Sequence, residues 1–227
     1  MYALSEVTDR WATFDCYGTL VDWNSGIVGV IRRLWPTADV ERVLRRYHAL
    51  EPLVQEGRGL AYREVGARTL RALAALEGLP LRVEDEYAFA QTLPDWPVFA
   101  EVPGSLMTLK QRGWRLAILS NTDPDLLAAS LKHIGVPIDL TITAAEAGSY
   151  KPAPGHWQRF FEQTNAAKNR HIHIGASPFH DLAPAAQLGL RAVWINRLAE
   201  PSETPRAAEL PDLRDLPDTL DRLVPPA

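Results

Sequence analysis

Four short polar clusters, each lying directly behind an apolar run, hold the residues of this chain best suited to covalent chemistry. They are Asp15-Cys16-Tyr17-Gly18-Thr19-Leu20, Ser120-Asn121-Thr122-Asp123, Lys151-Pro152 and Ser177-Pro178-Phe179-His180-Asp181. An aspartate carboxylate can attack carbon or phosphorus and split one difficult displacement into two easier steps, and Asp15 stands where an apolar run gives way to a glycine-containing turn that can expose it. Lys151 supplies a fixed positive charge to pair with Asp15, with Asp181 and with an anionic substrate. Asp181 suits either of two tasks, orienting Lys151 or accepting a proton from water. Ser120, Asn121 and nearby backbone could hydrogen-bond a substrate carboxylate or phosphate, while Thr19 could steady Asp15. Taken singly, each has a plainer reading: a turn or helix cap for Asp15, Asp181 and the Ser-Asn pair, and ordinary surface for Lys151.

Convergence is what favours chemistry, and the elements supply it. Short apolar runs followed by helical patterns recur at Trp11 to Phe14, Arg115 to Leu119, Leu140 to Thr143, His171 to Ala176 and Ala192 to Ile195. Strands alternating with helices imply an α/β fold with a parallel, doubly wound, Rossmann-like sheet. The intervening helices are expected over Pro103 to Arg112, Pro124 to Ile134, Pro154 to Thr164 and Leu182 to Leu188. In such a sheet ligands bind beyond the carboxyl ends of the strands, where all four clusters fall.

The first two strands are separated by about a hundred residues, far more than a crossover requires. The intervening segment is therefore expected to form an inserted helical cap domain over residues 23–96, with residues 1–22 and 97–227 forming the core. Amphipathic patterns at Ile27 to Leu34, Val40 to Val54, Tyr62 to Leu76 and Val83 to Thr92, with breaks at Gly57, Gly59 and Gly78-Leu79-Pro80, suggest a four-helix bundle. Leu93-Pro94-Asp95-Trp96-Pro97 reads as the return linker. The tail from Glu200 to Ala227 reads as a surface wrap with a short last helix.

Phe14-Asp15-x-Tyr17-Gly18-Thr19-Leu20, Leu119-Ser120-Asn121, Tyr150-Lys151-Pro152 and the late Asp181 together resemble the four ordered motifs of the haloacid dehalogenase superfamily. The resemblance spans nearly the whole chain and implies Asp15 as nucleophile. Phosphatases of that superfamily carry a second Asp two residues after the nucleophile, and here that place is Tyr17. Gly175-Ala176-Ser177 replaces the acidic residues that would help hold Mg²⁺, so no metal and no cofactor are expected. Asp-x-Tyr is similar to the L-2-haloacid dehalogenase branch, which implies halide displacement from C2 of a small 2-haloalkanoic acid through an aspartyl ester. That branch uses a cap arginine to receive the halide, and Arg46, before a Leu-Glu pair, matches it, with Arg45 as the substitute. Tyr17, Tyr62 and Leu50 match apolar walls of its pocket. The last motif departs from the well-studied members: Ala176, Pro178 and His180 stand at their Ser, Asn and Trp positions. Either Ser177 compensates near the substrate or the hydrolytic step is arranged differently, and His180 is expected to act as a hydrogen-bonding neighbour. Defluorinating enzymes, azetidine-2-carboxylate-type hydrolases and, more distantly, a Mg²⁺-dependent phosphatase stay open as alternatives, as does a binding protein without catalysis.

The chain has 227 residues, and 24 Lys+Arg against 28 Asp+Glu leave a net charge of -4, so no basic field favours nucleic acid or anionic membrane. A small carboxylic acid is the expected partner. Cys16 is the only cysteine, Met1 to Arg10 lacks a signal-peptide pattern, and no apolar run is long enough to span a bilayer. A reduced, cytoplasmic protein is the expectation. Cys16 should pack beneath the sheet, and Trp35, Trp96, Trp114, Trp157 and Trp194 either offer apolar surface for the homodimer common in that branch or, at least as often for large aromatics, lie buried in the core.

Overall fold

A computed structural model describes residues 9–56 and 59–226. Residues 1–8, covering most of the stretch read for a signal peptide, and the break at Gly57 lie outside the described residues. The strands are β1 (Arg10–Phe14), β2 (Trp114–Ser120), β3 (Leu140–Thr143), β4 (His171–Gly175), β5 (Ala192–Ile195) and β6 (Ala208–Leu210). They form one sheet of order β3-β2-β1-β4-β5-β6. Every pairing is parallel. All five residues of β1 are buried, as befits a strand with neighbours on both sides and helices on both faces.

Between β1 and β2 run α1 (Trp23–Leu34), α2 (Val40–Gln55), α3 (Tyr62–Glu77) and α4 (Ala88–Thr92). The Asp22 carboxylate accepts the Ser25 N–H at 3.0 Å to cap α1, and Asp39 does the same for Arg42 at 3.1 Å to start α2. The fourth amphipathic stretch is not a full helix. It splits into a 3₁₀ turn at Val83–Asp85 and the five-residue α4, so the bundle has three long helices and a short fourth. The remaining helices are α5 (Val102–Gln111), α6 (Pro124–Ile134), α7 (Ala144–Ala147), α8 (Gly155–Thr164), α9 (Ala183–Gln187) and α10 (Leu216–Leu223).

One hydrophobic cluster joins the sheet to the helical insert, with Phe14, Cys16 and Leu20 continuous with Tyr47, Phe89 and Trp96. A second, around Trp11, Leu119, Trp157 and Trp194, fills the opposite face. Cys16 is fully buried, as expected. Trp35, Trp96, Trp114, Trp157 and Trp194 are also buried, so they are core residues and offer no surface for a dimer. Among the described residues no helix is long and apolar enough to cross a membrane.

The tail does more than wrap the surface. Residues Ala208–Leu210 add β6 alongside β5. α10 brings Asp221 against Arg10 at 2.6 Å, and Asp221 also accepts the Trp114 indole N–H at 2.9 Å. Arg10 is 4% exposed, so its guanidinium depends on that carboxylate and on the carbonyls of Arg112 and Val224. Removing one partner of a buried pair strands the other. Asp221→Ala should therefore cost about 2–4 kcal/mol in denaturant unfolding, loosening the tail from β1 and β2.

Candidate active site

The nucleophile candidate is set by the end of β1. The Asp15 N–H still donates to the Ile174 carbonyl at 2.9 Å, so this residue remains fixed to β4 while the chain turns away. The turn is closed by Leu20 N–H to Cys16 O at 2.8 Å and requires φ +93° at Gly18, a conformation that residues with a Cβ rarely adopt. It returns Thr19 to the carboxylate, where its hydroxyl donates to Asp15 Oδ2 at 2.8 Å and accepts the Ala176 N–H at 2.9 Å.

β2 delivers Asn121, whose side chain pairs with the backbone of Lys151. Its Oδ1 accepts the Lys151 N–H at 2.7 Å and its Nδ2 donates to the Lys151 carbonyl at 3.1 Å. The tethered lysine is 2% exposed, and its Nζ donates to Asp15 Oδ1 at 2.8 Å and to Asp181 Oδ1 at 2.7 Å. Asp181 comes from a wide π-type turn, Pro178–Leu182, that follows β4. Its Oδ2 accepts the Ser177 N–H at 3.1 Å. The same turn is held by Ser177 Oγ, which accepts the His180 N–H at 3.0 Å. A buried chain lies behind: His173 Nε2 is 3.3 Å from Asp181 Oδ1, and Thr13 Oγ1 is 2.9 Å from both His173 Nδ1 and His171 Nε2.

These groups border a cavity of about 730 Å³ between sheet and helical insert. Burial lifts Asp15 above its ordinary value, against the pull of the Lys151 ammonium. Burial would lift Asp181 too, but Lys151 and the His173 hydrogen bond hold it well below the carboxylate range. Burial opposes the charge on Lys151, and the two carboxylates overcome it and raise Lys151 above its usual range. His156 is pushed down to about 3, first by burial and then by Lys151, so it stays neutral beside the Ser120 carbonyl at 3.0 Å. Burial also lowers His180. The donor set does not suit a divalent ion: Tyr17 stands at the second carboxylate position, an ammonium fills the space between Asp15 and Asp181, and among the described residues no group of three or more metal-binding side chains converges.

Asp15, Tyr17, Tyr62, Ser120, Asn121, Lys151, Ser177, His180 and Asp181 all line the cavity, and Thr19 stands behind Asp15. Arg46 does not. α2 turns Val43, Tyr47, Glu51 and Gln55 inward at a spacing of four, which puts Arg46 one step round the helix. There its side chain is 51% exposed and pairs with Glu77 at 3.2 Å. Arg45 is more exposed still, 3.9 Å from Glu41. Leu50 packs half-buried against the core instead of lining the cavity. The sequence reading missed Arg197, which lines the cavity two residues past β5, stacks on Phe99 at 3.5 Å and donates to the Thr19 carbonyl at 2.8 Å. The strand-end rule that found the other clusters would have found it too. Trp23, His48, Glu51 and Gln55 were also missed, and the four-residue spacing along α2 was the available signal for the last two.

Two outcomes follow from this geometry. A Cβ on Gly175 would overlap the Asp181 carboxyl, so Gly175→Ala should shift Asp181 and Lys151 together and lower kcat by about 100-fold or more in steady-state assays. Arg46→Ala removes only a surface pair and should leave kcat/KM within about twofold; a loss of 100-fold would restore it to the site.

Comparison with known proteins identifies the family. The family model for haloacid dehalogenase-like hydrolases matches residues 10–189. Haloacetate dehalogenase H-2 of Moraxella sp. (strain B) is 30% identical, covering 81% of this chain and 84% of its own. Phosphoserine phosphatase of Thermus thermophilus is 32% identical over 63% of this chain and 57% of its own. The fold matches L-2-haloacid dehalogenase from Xanthobacter autotrophicus with chloropropionic acid covalently bound, at a TM-score of 0.82 and 20% identity, covering 92% of this chain and 97% of that one. With its sheet order, its strand-end motifs and a match across most of its length, the chain belongs to the haloacid dehalogenase-like hydrolases.

Proposed function

We propose that this enzyme hydrolyses small carboxylic acids bearing a leaving group at C2, 2-haloalkanoic acids foremost, through an ester on Asp15 and without a metal. The observation that carries the reading is the buried Lys151 ammonium shared by Asp15 and Asp181. It places a positive charge between the two carboxylates where the phosphatase pattern would need a divalent ion. Among the relatives, a haloacetate dehalogenase and a dehalogenase holding chloropropionic acid covalently favour carbon over phosphorus as the reacting atom.

In the first step an Asp15 oxygen forms a bond to C2 as the carbon–halogen bond breaks, the electron pair leaves with halide, and C2 inverts. The substrate carboxylate is received by Ser120 and the backbone N–H groups at the end of β2. Asn121 serves mainly to fix Lys151, since both ends of its amide are engaged there. Arg197 takes over the anion-receiving role that Arg46 cannot fill, being the one arginine among the described residues that line the cavity. In the second step water attacks the ester carbonyl of Asp15, the acyl–oxygen bond breaks, and the 2-hydroxy acid departs. Asp181 is too strongly held by Lys151 to be the better base. His180, lowered by burial and therefore neutral at pH 7, lines the cavity and is suited to take the proton from water.

Wild type should release halide from chloroacetate or one enantiomer of 2-chloropropionate equally with and without EDTA, and Asp15→Asn should release none. In single turnover in H₂¹⁸O, label should enter the Asp15 carboxyl while the first product carries an unlabelled hydroxyl; label in the product instead would overturn the ester. The pH profile follows from the same pair. Asp15 must be ionised to attack and its titration is raised, so the rate should fall with acid at a midpoint above 3.8, the ordinary aspartate value. Lys151 is raised above its ordinary 10.5, so its deprotonation should not limit activity below about pH 10.

A further inference from the structure

Behind the site the sheet carries a line of polar groups that the chemistry above does not use. Thr13, His171 and His173 are fully buried in β1 and β4, central strands where apolar side chains are the rule. None of the three stands in the four motifs read from the sequence. His171 and His173 lie two apart on one strand and so share a face, and Thr13 is the register partner of His173 on β1. The Thr13 hydroxyl is 2.9 Å from His173 Nδ1 and 2.9 Å from His171 Nε2, and His173 Nε2 reaches Asp181 Oδ1 at 3.3 Å.

One direction of donation satisfies this line. Aromatic rings enclose both histidines, Trp157 against His173 and Phe160 and Phe161 against His171, each at 5.1 Å. Burial lowers both below the ordinary histidine value, outweighing for His173 the pull of Asp181, so both rings are neutral. The ionised Asp181 can only accept, so His173 presents Nε2–H to it and keeps a bare Nδ1. That nitrogen takes the Thr13 hydroxyl proton, and the Thr13 oxygen in turn accepts Nε2–H of His171. The last bare nitrogen falls at the far end, on His171 Nδ1, which has no hydrogen-bond partner among the described residues.

Asp181 is where this line ends and where its effect is felt. Its Oδ2 is held by the Ser177 N–H, while Oδ1 is drawn from one side by Lys151 and from the other by His173. Once Asp15 is esterified it carries no charge, and the Lys151 ammonium then leans on Asp181 alone. We propose that His173 is a positioning residue: through the one-way chain from His171 to Thr13 to His173 it fixes Asp181, and so keeps Lys151 against the Asp15 acyl group while water cleaves the ester. The effect on cleavage rests on the ester reading above; the direction of the chain does not.

The chain is read by long-range ¹H–¹⁵N spectra of histidine-labelled wild type. His173, assigned by its loss in either variant below, should be neutral with its proton on Nε2; a proton on Nδ1, or a doubly protonated ring, would overturn the chain. The effect is read in single turnovers with chloroacetate. His173→Phe keeps a ring against Trp157 and removes the donor, so halide release should stay within about threefold of wild type while ester cleavage slows at least about tenfold, with the Asp15 adduct accumulating in the intact-protein mass. His173→Gln, which offers an amide N–H near the place of Nε2, should recover most of the cleavage rate. Equal slowing of both steps, unchanged cleavage in His173→Phe, or His173→Gln as slow as His173→Phe would each overturn the positioning role. If His173→Phe fails to fold, the wild-type spectra and the step slowed in His173→Gln still decide it. Absence of any adduct in wild type and variants alike would sink the ester reading and leave the spectra to decide the chain.

Discussion

A lysine ammonium buried between two carboxylates is the constraint around which the rest of the molecule is arranged. Each ion would be costly in that position alone, and together they are tolerable only with good geometry and further hydrogen bonds. The structure supplies both. Thr19 and Lys151 hold the two oxygens of Asp15, Ser177 and His173 reach Asp181, and Asn121 clamps the lysine backbone. Asp15 and Thr19 follow β1, Asn121 follows β2, His173, Ser177 and Asp181 belong to β4 and the turn after it, and Lys151 comes after β3 and α7, so the sheet order that places β1 between β2 and β4 is what allows the three charges to meet.

This explains why so much of the fold was legible in the sequence. Strands buried on both faces read as continuous apolar runs, and β3 and β5 occupy the expected bounds while the others shift by a residue or two. β6 was not legible, because three residues of Ala-Glu-Leu carry no periodic signal and their pairing depends on β5 being in place. The short fourth helix of the insert failed for a related reason. Amphipathic spacing over Val83 to Thr92 does not distinguish a 3₁₀ turn followed by one α turn from a single helix.

Within the site, the parts legible from sequence are those tied to strand ends. Asp15 at the end of β1 and Asp181 in the turn after β4 could be placed because the end of a strand fixes a residue's position to within about a turn; Lys151 was placed by its motif, since α7 separates it from β3 and the Asn121 amide brings it to the site. The helical side of the cavity offers no such anchor. On α2 a shift of one residue rotates a side chain by about 100°, enough to carry Arg46 from the cavity to Glu77 while Tyr47 and Glu51 face inward. A match to a short pattern such as Arg followed by Leu-Glu fixes the register of the chain. It does not fix the phase of the helix, which is set by which residues the hydrophobic cluster can accept, and Tyr47 rather than Arg46 belongs to that cluster.

The two halves of the cavity therefore answer different questions. The sheet side carries the proposed nucleophile Asp15, the Lys151 ammonium and Asp181, residue types that match the family's motifs, while Ala176, Pro178 and His180 depart from them. On the helical side Arg46 lies outside the cavity, while Glu51, the Glu of the matched Leu-Glu pair, lines it and accepts the Tyr62 hydroxyl. The two walls come from separate segments of the sequence: Asp15, Ser120, Lys151, Asp181 and Arg197 from the loops around the sheet, Trp23, Glu51 and Tyr62 from α1, α2 and α3.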